Sequence, residues 1–409
     1  MLFFDKKVLV GVTGGIAAYK AALLVRELKK KSAHVRVVMT DAATKFVAPL
    51  TFETLSENPV LLNLFPREGG LRTAHIDWAR WPDVIIVCPA TTNTIGKIAA
   101  GIADNALTTT IMATTEPVLF CPAMNKEMYA NPIFLENVAK LEKNGYTFVA
   151  PGKGELACGE EGWGRLAEIN EILFATKKIL SPRHDLQNHR VLVTAGPTEE
   201  PLDPVRFMTN RSSGKMGFAL AEAAVLRGAK VTLVSGPTNL VAPSGIRVVK
   251  VRTAKEMSDA VLANLDENDI LLMAAAVSDF RPKEILEHKL KKADAKEILE
   301  LERTADILTA TASRKGTRIH VGFSVETENE IENSRLKLQN KGLDFIVLNN
   351  PLQEGAGFAV DTNRVTIIDA SGTIEKLPLM SKAEVSEKIL DRVSSLLLKS
   401  VRGSQKQRT

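Results

Sequence analysis

This 409-residue chain has no long apolar run, no cysteine cluster and no strong excess of charge. Its longest uninterrupted apolar run, residues 270–277, has eight members, whereas a helix needs about 20 apolar residues to span a bilayer. The first residues, MLFFDKKVLVGVTGG, place an aspartate and two lysines ahead of a short apolar run that ends at glycine, unlike a cleavable signal sequence. We therefore expect a cytoplasmic protein that does not bind membranes.

The cysteines are Cys88, Cys121 and Cys158. Because they are odd in number and widely spaced, they exclude a disulfide framework and a CxxC zinc site. Cys88 and Cys121 lie in or at the end of apolar stretches and are expected to be core residues. A net charge of +5 suits small anions as well as nucleic acid, but no alternation of aromatic and basic residues supports nucleic-acid binding.

The same order of predicted elements, strand, turn, helix and strand, occurs twice in the chain. Residues 7–40 are typical of a strand, a glycine turn, an amphipathic helix from about Ile16 to Lys31 and a second strand. The same plan restarts near residue 190 with the strand RVLVTAG, a helix around Phe218 to Arg227 and the strand KVTLVSGP. A chain of this length also exceeds the ~300 residues that one hydrophobic core usually supports, so two domains are expected.

Two apolar segments that follow an aspartate, DVIIVCPA at 83–90 and DILLMAAA at 269–276, indicate strands buried on both faces of a parallel sheet. We therefore predict an α/β protein with two doubly wound, Rossmann-like domains and mainly parallel sheets. The predicted domains are residues 1–188 and 189–400, followed by a polar tail at 401–409. In such sheets ligands bind beyond the carboxyl ends of the strands.

Polar segments follow the predicted strands of the first half. The turn Gly11-Val-Thr-Gly-Gly15 precedes a helix, where backbone amides attract phosphate; tight packing is the alternative explanation, and the spacing is not the GxGxxG of a nicotinamide site. Residues 89–94, PATTNT, supply several neutral donors suited to a phosphate or an isoalloxazine edge. Residues 121–129 follow the next strand, and residues 158–165 are glycine-rich and could form a mobile flap.

In the second half, Gly196 and Pro197 shape the turn after the first strand, and the segment NRSSGKMG at 210–217 precedes a helix. This segment resembles a phosphate cradle. It lacks the GxxxxGK[ST] spacing, which disfavours a P-loop kinase or ATPase.

Longer motifs surround these turns. In the first half they are VTGGIAAYK, AHIDWARWPD, PATTNTIGKIAAGIADN, PAMNKEMY and ACGEEGWGR. In the second half they are TAGPTEEPLDPVRFMTNRSSGKMG, AAAVSDFRPKE, GFSVET and KGLDFIVLNN. The first half resembles the flavin-dependent cysteine decarboxylases. Nearly the whole chain resembles the bifunctional phosphopantothenoylcysteine decarboxylase/phosphopantothenate-cysteine ligases of bacterial coenzyme A biosynthesis.

For the first, flavoprotein-type domain, the resemblance implies FMN as a transient electron acceptor, since oxidising the substrate thiol to a thioaldehyde lets the neighbouring carboxylate leave as CO2. It implies that His75 is the base, that Asn125 binds the substrate carboxylate and that Cys158 donates a proton in the reductive half-reaction. A structural histidine and a turn asparagine are the plainer interpretations of the first two. The FMN-binding residues implied by the resemblance are Gly11, Thr13, Gly14, Gly15, Ile16, Thr40, Ala90, Thr91 and Asn93.

For the second, nucleotide-binding domain, the resemblance implies ligation of 4′-phosphopantothenate to cysteine, with CTP and Mg²⁺ forming an acyl-cytidylate. Lys289 matches the lysine that forms this intermediate, and Asn210 matches the residue that converts it onward. A solvated surface lysine and a helix N-cap are their plainer interpretations. The implied nucleotide-binding residues are Ala275, Asp279, Ala305, Asp306, Ile307, Leu308, Phe323, Lys337 and Lys341, with Asp279 also a metal ligand.

Two positions depart from the resembled family, which usually has proline at Ala305 and tyrosine at Phe280. Both changes affect loop rigidity or a hydrogen bond, and neither removes a charge. The resemblance further implies a homo-oligomer, with trimeric or dodecameric first domains and dimeric second domains. Two alternatives are a non-catalytic flavin-binding regulatory protein of the same fold and a nicotinamide-dependent reductase fused to a partner domain.

Overall fold

A computed structural model describes residues 2–64, 74–155, 159, 161–290, 298–355, 357 and 360–406. The chain divides into two compact units, Met1–Pro182 and Arg183–Thr409. Each unit is a parallel-sheet domain with helices between its strands, so the predicted fold class is confirmed.

The first unit is built around a sheet with strand order β3-β2-β1-β4-β5-β6, all pairs of which are parallel. Its elements, in chain order, are β1 (Lys7–Val12), α1 (Ala18–Lys30), β2 (His34–Met39), α2 (Asp41–Thr44), α3 (Pro49–Ser56), β3 (Val60–Leu61), α4 (Ala74–Arg80), β4 (Val84–Ala90), α5 (Thr92–Ala99), α6 (Ala106–Ala113), β5 (Val118–Pro122), α7 (Lys126–Ala130), α8 (Pro132–Lys143), β6 (Thr147–Phe148), β7 (Gly152–Glu155), β8 (Glu161–Arg165) and α9 (Ile169–Leu180). The strands β7 and β8 form a separate antiparallel hairpin.

Helices cover both faces of this sheet, which explains its continuous apolar strands. Along β1, Val8 and Val10 pack into one hydrophobic cluster, whereas Leu9 packs into the cluster on the opposite face. Cys88 and Cys121 are fully buried in the first of these clusters, as predicted for core residues. Burial raises the pKa of the Cys121 thiol well above its usual range, which makes it a poor nucleophile.

The second unit has a sheet with strand order β13-β12-β9-β14-β17-β18-β20-β21. Its elements are β9 (Arg190–Ala195), β10 (Glu199–Pro201), β11 (Phe207–Thr209), α10 (Lys215–Leu226), β12 (Lys230–Ser235), β13 (Ile246–Lys250), α11 (Ala254–Leu265), β14 (Ile270–Met273), β15 (Phe280–Pro282), β16 (Leu301–Arg303), α12 (Ile307–Ala312), β17 (Ile319–Val325), α13 (Glu330–Asn340), β18 (Phe345–Asn349), β19 (Thr362–Asn363), β20 (Val365–Asp369), β21 (Ile374–Lys376), β22 (Met380–Ser381) and α14 (Lys382–Lys406). The strands β20 and β21 are antiparallel additions at one edge.

Both sheets reverse their strand order at one point, between β1 and β4 in the first unit and between β9 and β14 in the second. Helices on either side of such a point diverge, which leaves a crevice beyond the carboxyl ends of the two strands. The fold therefore directs attention to the loops after these strands.

The domain limits differ slightly from the prediction. We predicted a boundary after residue 188, but Asp185 and Leu186 already bond to Arg227 of the second unit. At the other end, α14 continues to Lys406, past residue 401 where we predicted the polar tail. In the described part of the chain, every helix is too short or too polar to cross a bilayer.

Candidate active sites

A cavity of about 680 Å³ opens at the crevice of the first unit, beyond β1 and β4. Its volume lies within the ~300–1,000 Å³ typical of small-molecule sites. Four parts of the chain enclose it: the turn before α1 with the first residues of that helix, the start of α5, the segment from the end of β5 into α7, and the strands β7 and β8 with the residue after them. The lining residues are Gly14, Gly15, Ile16, Ala17, Tyr19, Lys20, Thr91, Thr92, Ala123, Met124, Asn125, Met128, Glu155, Gly164, Arg165 and Leu166.

The glycine turn brings backbone rather than side chains to this cavity. A Cβ at Gly14 would overlap Ala42, whereas a Cβ at Gly15 would make only ordinary contact, 3.7 Å from Thr91 Cγ2. A Cβ at Gly11 would collide with Leu107 on the far side of the strand. Gly14 and Gly11 are therefore needed for close packing, whereas Gly15 lines the cavity and its amide donates to the Thr13 carbonyl at 3.0 Å.

Thr13 connects the two strand ends instead of facing the cavity. Its buried hydroxyl donates to the Pro89 carbonyl at 2.7 Å and accepts from the Thr91 amide at 3.1 Å. This bridge fixes Thr91, whose own hydroxyl caps α5 by accepting from the Thr94 amide. Thr91 thus lines the cavity and begins a helix at the same time.

Several other predicted FMN-binding residues lie outside the cavity lining. Thr40 caps α2 by accepting from the Ala43 amide at 3.3 Å. Ala90 is buried in the core, and Asn93 is exposed on α5. Of the predicted FMN-binding set, Gly14, Gly15, Ile16 and Thr91 line the cavity.

Asn125 also lines the cavity, at the start of α7. Its side-chain carbonyl accepts a hydrogen bond from the Glu127 amide at 2.8 Å. The plain interpretation of a turn asparagine is therefore correct locally. The same bond orients the amide, so the cap and a ligand-binding role are compatible.

The hairpin β7–β8 forms one wall. The Met124 amide donates to the Gly164 carbonyl at 3.0 Å, which ties the hairpin to the loop that carries Asn125. Gly164 has φ of +136°, and a Cβ there would overlap the Met124 carbonyl. Only glycine permits this approach. The predicted catalytic residue Cys158 lies outside the described residues.

His75 lies in the first turn of α4 and is not among the residues that line this cavity. Its Nδ1 is buried and has no hydrogen-bond partner among the described residues. Near this helix, the Arg36 guanidinium lies 5.4 Å from the ring centre of Trp78 on α4 and 4.3 Å from that of Trp81 just after it. Within one chain the structure therefore does not bring His75 together with Asn125.

The second unit has a cavity of about 500 Å³ beyond β14 and β17. Its lining residues are Met273, Ala275, Val277, Asp279, Phe280, Arg303, Thr304, Ala305, Asp306, Ile307, Leu308, Phe323, Lys337 and Lys341. All the residues predicted to bind nucleotide in this domain are in that set. Ala305 and Phe280, the two positions at which the sequence departs from the resembled family, also line the cavity.

Charged side chains in this cavity are held by each other. Lys341 forms an ion pair with Asp306 and donates to Thr309 Oγ1 at 2.6 Å. Asp306 also caps α12 by accepting from the Thr309 amide at 2.9 Å. Burial alone would raise the pKa of Asp306, but the hydrogen bonds from Lys341 and Thr309 hold that pKa below its ordinary value.

Lys337 is half-buried and donates to the Phe323 carbonyl at 2.9 Å. Burial lowers the pKa of Lys337, against the attraction of Glu326, Asp279 and Asp306. Its ammonium group is thus fixed at the end of β17. A desolvated cation is attracted more strongly to an anionic ligand than a solvated one.

Asn210 and Lys289 are not among the residues that line this cavity. Asn210 donates to the Val277 carbonyl at 2.9 Å and more weakly to the Ala276 carbonyl at 3.4 Å, and Val277 is part of the lining. Lys289 is exposed, in the last residues before the undescribed segment 291–297.

Asp203 and Arg206 anchor the Lys289 segment, a role that the sequence did not reveal. Arg206 donates to the Leu290 carbonyl at 2.7 Å, and buried Asp203 accepts from the Leu290 amide at 3.2 Å. Burial works to raise the pKa of Asp203, but its bonds from Arg206 and backbone amides lower it well below the usual range. Both residues lie in the segment LDPVRF at 202–207. Its aspartate and proline indicate a turn, but they do not indicate which other segment the turn contacts.

Among the described residues, no group of three or more His, Cys, Asp or Glu side chains is arranged to hold a metal ion. Asp279 and Asp306 line the second cavity as carboxylates. Mg²⁺ commonly takes one or two carboxylates and completes its shell with phosphate oxygens and water. These residues therefore fit a metal that arrives with a nucleotide.

Two protein families match the sequence. The family described as Flavoprotein matches residues 4–181, and the family described as DNA/pantothenate metabolism flavoprotein C-terminal domain matches residues 186–397. The two matches coincide closely with the two structural units.

Individual proteins match over most of the chain. The coenzyme A biosynthesis bifunctional protein CoaBC of Bacillus subtilis (strain 168) is 47% identical over 395 residues, covering 96% of this chain and 97% of that protein. A cysteine/cysteine sulfinic acid decarboxylase from an unknown prokaryotic organism is 44% identical over 359 residues, covering 86% of this chain and 99% of that protein. A crystal structure of the C-terminal domain of a CoaBC protein is 41% identical and covers 53% of this chain and 99% of its own, with a TM-score of 0.46.

Proposed function

Because the chain belongs to the family of coenzyme A biosynthesis bifunctional proteins, we propose that its second unit ligates 4′-phosphopantothenate to cysteine and its first unit decarboxylates the product. The chain is a bifunctional enzyme that combines a phosphopantothenate-cysteine ligase with a phosphopantothenoylcysteine decarboxylase. We propose which cavity carries out each step and which residues and cofactors take part. We propose a cytoplasmic location for both activities.

One observation carries this assignment: the residues proposed to bind nucleotide, scattered from Ala275 to Lys341 in sequence, line a single cavity at the strand ends. A carboxylate is a poor electrophile, so ligation needs an activated acyl group. We propose CTP as the activating nucleotide, and Asp279 would hold a Mg²⁺ ion that offsets negative charge on the phosphates. The cations Lys337 and Lys341 would offset the charge of the triphosphate.

Asn210 and Lys289 complete the ligase proposal. Lys289 would stabilise charge as the substrate carboxylate attacks the α-phosphate and pyrophosphate leaves. Asn210, whose amide is oriented by the Val277 carbonyl at 2.9 Å, would hold the acyl-cytidylate while the cysteine amine displaces CMP. The contact of Asn210 with Val277, which lines the cavity, supports its role.

The first cavity fits FMN on the chemistry of its lining. The backbone turn at Gly14 and Gly15 ahead of a helix suits the cofactor phosphate, and Ile16, Met124 and Met128 offer apolar contact for a ring system. Bound FMN would supply a transient electron acceptor for the substrate thiol, which makes loss of the carboxylate feasible.

The chain's own residues would bind the substrate and move protons. Asn125 would hold the substrate carboxylate with an uncharged amide, which orients the anion without stabilising it too strongly. His75 would accept a proton, since histidine is the side chain that most often serves as a general base. Cys158 is proposed to return a proton in the reductive half-reaction.

A homo-oligomer would bring these residues together. Ile16, just before α1, and Tyr19 and Leu23 on that helix are 60%, 56% and 49% exposed, and the first two line the cavity. An exposed apolar face of this kind favours contact with another copy, and a second copy could present His75 to the cavity. We propose trimeric or dodecameric first units on this ground.

The second unit also has an exposed apolar face. Phe207 on β11, Phe280 on β15 and Leu301 on β16 are each about half exposed, on two antiparallel ribbons. We propose that pairing of these ribbons produces dimers of the second unit.

The test supplies purified protein with 4′-phosphopantothenate, cysteine, CTP and Mg²⁺ and follows pyrophosphate, CO2 and 4′-phosphopantetheine. We expect a flavin spectrum and all three products. Asn210→Asp should accumulate the acyl-cytidylate, and His75→Asn should retain FMN but release no CO2. A protein that keeps its flavin but forms no product would instead be a flavin-binding regulatory protein, and a spectrum without flavin bands would favour the nicotinamide-dependent alternative.

A further inference from the structure

One carboxylate lines the first cavity, and none of the steps assigned above uses it. The described residues of the lining include the cations Lys20 and Arg165 and a single acidic residue, Glu155, which ends strand β7. Within the described part of the chain, the Glu155 carboxylate makes no hydrogen bond or ion pair, and Arg165 pairs instead with Glu168 at 3.2 Å. Glu155 is therefore an unused, charged acceptor in the lining.

The position of Glu155 in the hairpin β7–β8 is unfavourable for folding. Its partner in the strand register is Glu161, so two like charges lie directly opposite each other. Like charges at such positions destabilise a pair of strands, and glutamate is in any case depleted in strands. Residues that break such local rules are expected at functional sites, so the observation favours a role for Glu155 in binding rather than in stability.

Three neutral polar side chains of the same lining are engaged within the protein. The Thr91 hydroxyl caps α5, and the Thr92 hydroxyl donates to Met124 Sδ at 3.1 Å. The side-chain carbonyl of Asn125 accepts from the Glu127 amide at 2.8 Å. Because a hydrogen bond to an ionised acceptor is roughly twice as strong as one to a neutral acceptor, the unused carboxylate is the acceptor that a donor group of a ligand would favour most.

The decarboxylation substrate has donor groups that the steps assigned above leave unmatched. Between its phosphate and its carboxylate, 4′-phosphopantothenoylcysteine carries a hydroxyl, the amide N–H of the pantoyl group and the amide N–H of the cysteine. A donor that leaves water without gaining an acceptor costs free energy. The cysteine amide lies beside the substrate carboxylate, which would repel a second carboxylate. The hydroxyl and the pantoyl amide are therefore the donors that suit Glu155.

We propose that Glu155 accepts a hydrogen bond from the uncharged pantoyl part of the substrate, from its hydroxyl or its amide N–H, and is thereby a specificity-determining residue of the decarboxylase. This inference rests on the proposed decarboxylase function of the first unit. A site built to accept a hydrogen bond discriminates strongly against an analogue that lacks the donor, because the acceptor is then left unpaired. The donor can therefore be identified by removing it from the substrate.

The test uses the full-length, FMN-loaded enzyme and measures kcat/KM from CO2 release. The substrates are 4′-phosphopantothenoylcysteine, its analogue without the hydroxyl, and its analogue with an ester in place of the pantoyl amide. Glu155→Ala should lower kcat/KM for the natural substrate roughly 10- to 100-fold, the usual effect of losing a hydrogen bond to a charged group. With one of the analogues the wild type should already show this loss, and Glu155→Ala should add little to it. That analogue identifies the donor, and Glu155→Gln, which keeps a neutral acceptor, should lose less than Glu155→Ala.

Glu161→Ala is the matched control. It removes the same like-charge contact from the opposite strand and should keep the wild-type kcat/KM with every substrate. Thermal unfolding provides a second readout, because loss of a like-charge contact should leave the transition temperature unchanged or raise it in both variants. A residue needed for folding would instead lower it.

Several results would overturn the inference. If Glu155→Ala caused the same loss with both analogues as with the natural substrate, neither donor would be bound by Glu155. An equal loss in Glu161→Ala would assign the effect to the hairpin as a whole, and a lower transition temperature for Glu155→Ala would assign it a structural role. Absence of CO2 from the natural substrate in the wild-type enzyme would overturn the decarboxylase function itself and this inference with it.

Discussion

Single side chains in the second cavity hold each other before any nucleotide binds. Lys341 bridges Asp306 and Thr309, and Asp306 in turn caps α12. A site arranged in this way pays less to order its side chains when a ligand binds. The arrangement makes Lys341 suitable for a test of nucleotide affinity.

Replacement of Lys341 by methionine should raise the KM for CTP roughly 10-fold, because a hydrogen bond to a charged group is lost, while kcat changes little. Initial rates of pyrophosphate release at varied CTP would measure this. The control is Lys255→Met on α11, whose ion pair with Asp259 at 2.7 Å is exposed and should contribute little. An unchanged KM in Lys341→Met would remove Lys341 from the nucleotide site.

Buried His320 makes the second unit sensitive to acid. The side chain is fully buried and neither ring nitrogen has a hydrogen-bond partner among the described residues. Burial, assisted by Lys315 and opposed by Asp344, lowers its pKa from 6.5 to about 4. The unfolded chain therefore takes up a proton at a higher pH than the folded chain does.

The resulting loss of stability occurs between pH 6.5 and about 4 as the pH falls, and amounts to on the order of 3 kcal/mol at the lower end. Above pH 6.5 the imidazole is neutral in both states and contributes no pH dependence. Urea unfolding at several pH values should show a flatter profile for His320→Leu than for the wild type. His184→Leu, on an exposed residue of the same unit, should keep the wild-type profile, and identical profiles for all three would contradict the prediction.

At the scale of elements, a backbone hydrogen bond fixes strand β8 to the loop that carries Asn125 at the first cavity. Gly164 accepts from the Met124 amide at 3.0 Å with φ of +136°. The hairpin thereby covers the loop that carries Asn125, and it excludes side chains at the point of contact. A mobile flap, as the glycine content suggested, would pivot about this contact.

Gly164→Ala should lower decarboxylase kcat/KM roughly 100-fold, because a displacement of about 1 Å in a binding wall has effects of that size. The added Cβ would overlap the Met124 carbonyl and push the hairpin outward. Gly145→Ala is the control, since φ of +89° strains the backbone there but the added Cβ meets no atom of the described residues within 4 Å. CO2 release would measure both, with ligase activity of the same chain as an internal reference; equal effects of the two variants would contradict the proposed contact.

At the scale of the whole molecule, one buried arginine holds the start and the end of the second unit together. Arg227 is 2% exposed and pairs with Asp185, with Glu387 at 3.3 Å and with Asp391 at 2.9 Å. Burial would lower its pKa, but Asp185 and the other carboxylates raise it above the ordinary value. The cluster joins the segment before β9 to α10 and α14.

Arg227→Met should destabilise the second unit by about 3 kcal/mol, because it leaves partly buried carboxylates without their cation. Thermal unfolding followed by calorimetry would show a lower transition temperature. Arg183→Met is the control, because Arg183 pairs with the same Asp391 from a half-exposed position and should contribute less than ~1 kcal/mol. Similar decreases in transition temperature for both variants would contradict the prediction that the buried ion pairs of Arg227 contribute more to stability than the half-exposed pair of Arg183.

The sequence by itself determined the two-domain α/β fold, because continuous apolar runs, glycine turns and amphipathic helices are local patterns that report burial on one or both faces. It also located the chemistry at the strand ends, and every nucleotide-binding residue predicted for the second domain lies in one cavity. The roles predicted for Lys289 and Asn210 came from the family resemblance of their motifs, because the sequence does not show which residues lie next to them in the fold.

Only the tertiary structure decided which residues of a motif face a ligand and which face the core. Thr13 and Gly15 are two positions apart, yet one bridges two strands while the other opens onto the cavity. The cations Lys20 and Arg165, and the cluster around Arg227, combine residues more than a hundred positions apart. No local pattern reports such pairs, because their partners are set by strand order and loop paths that only the folded chain fixes.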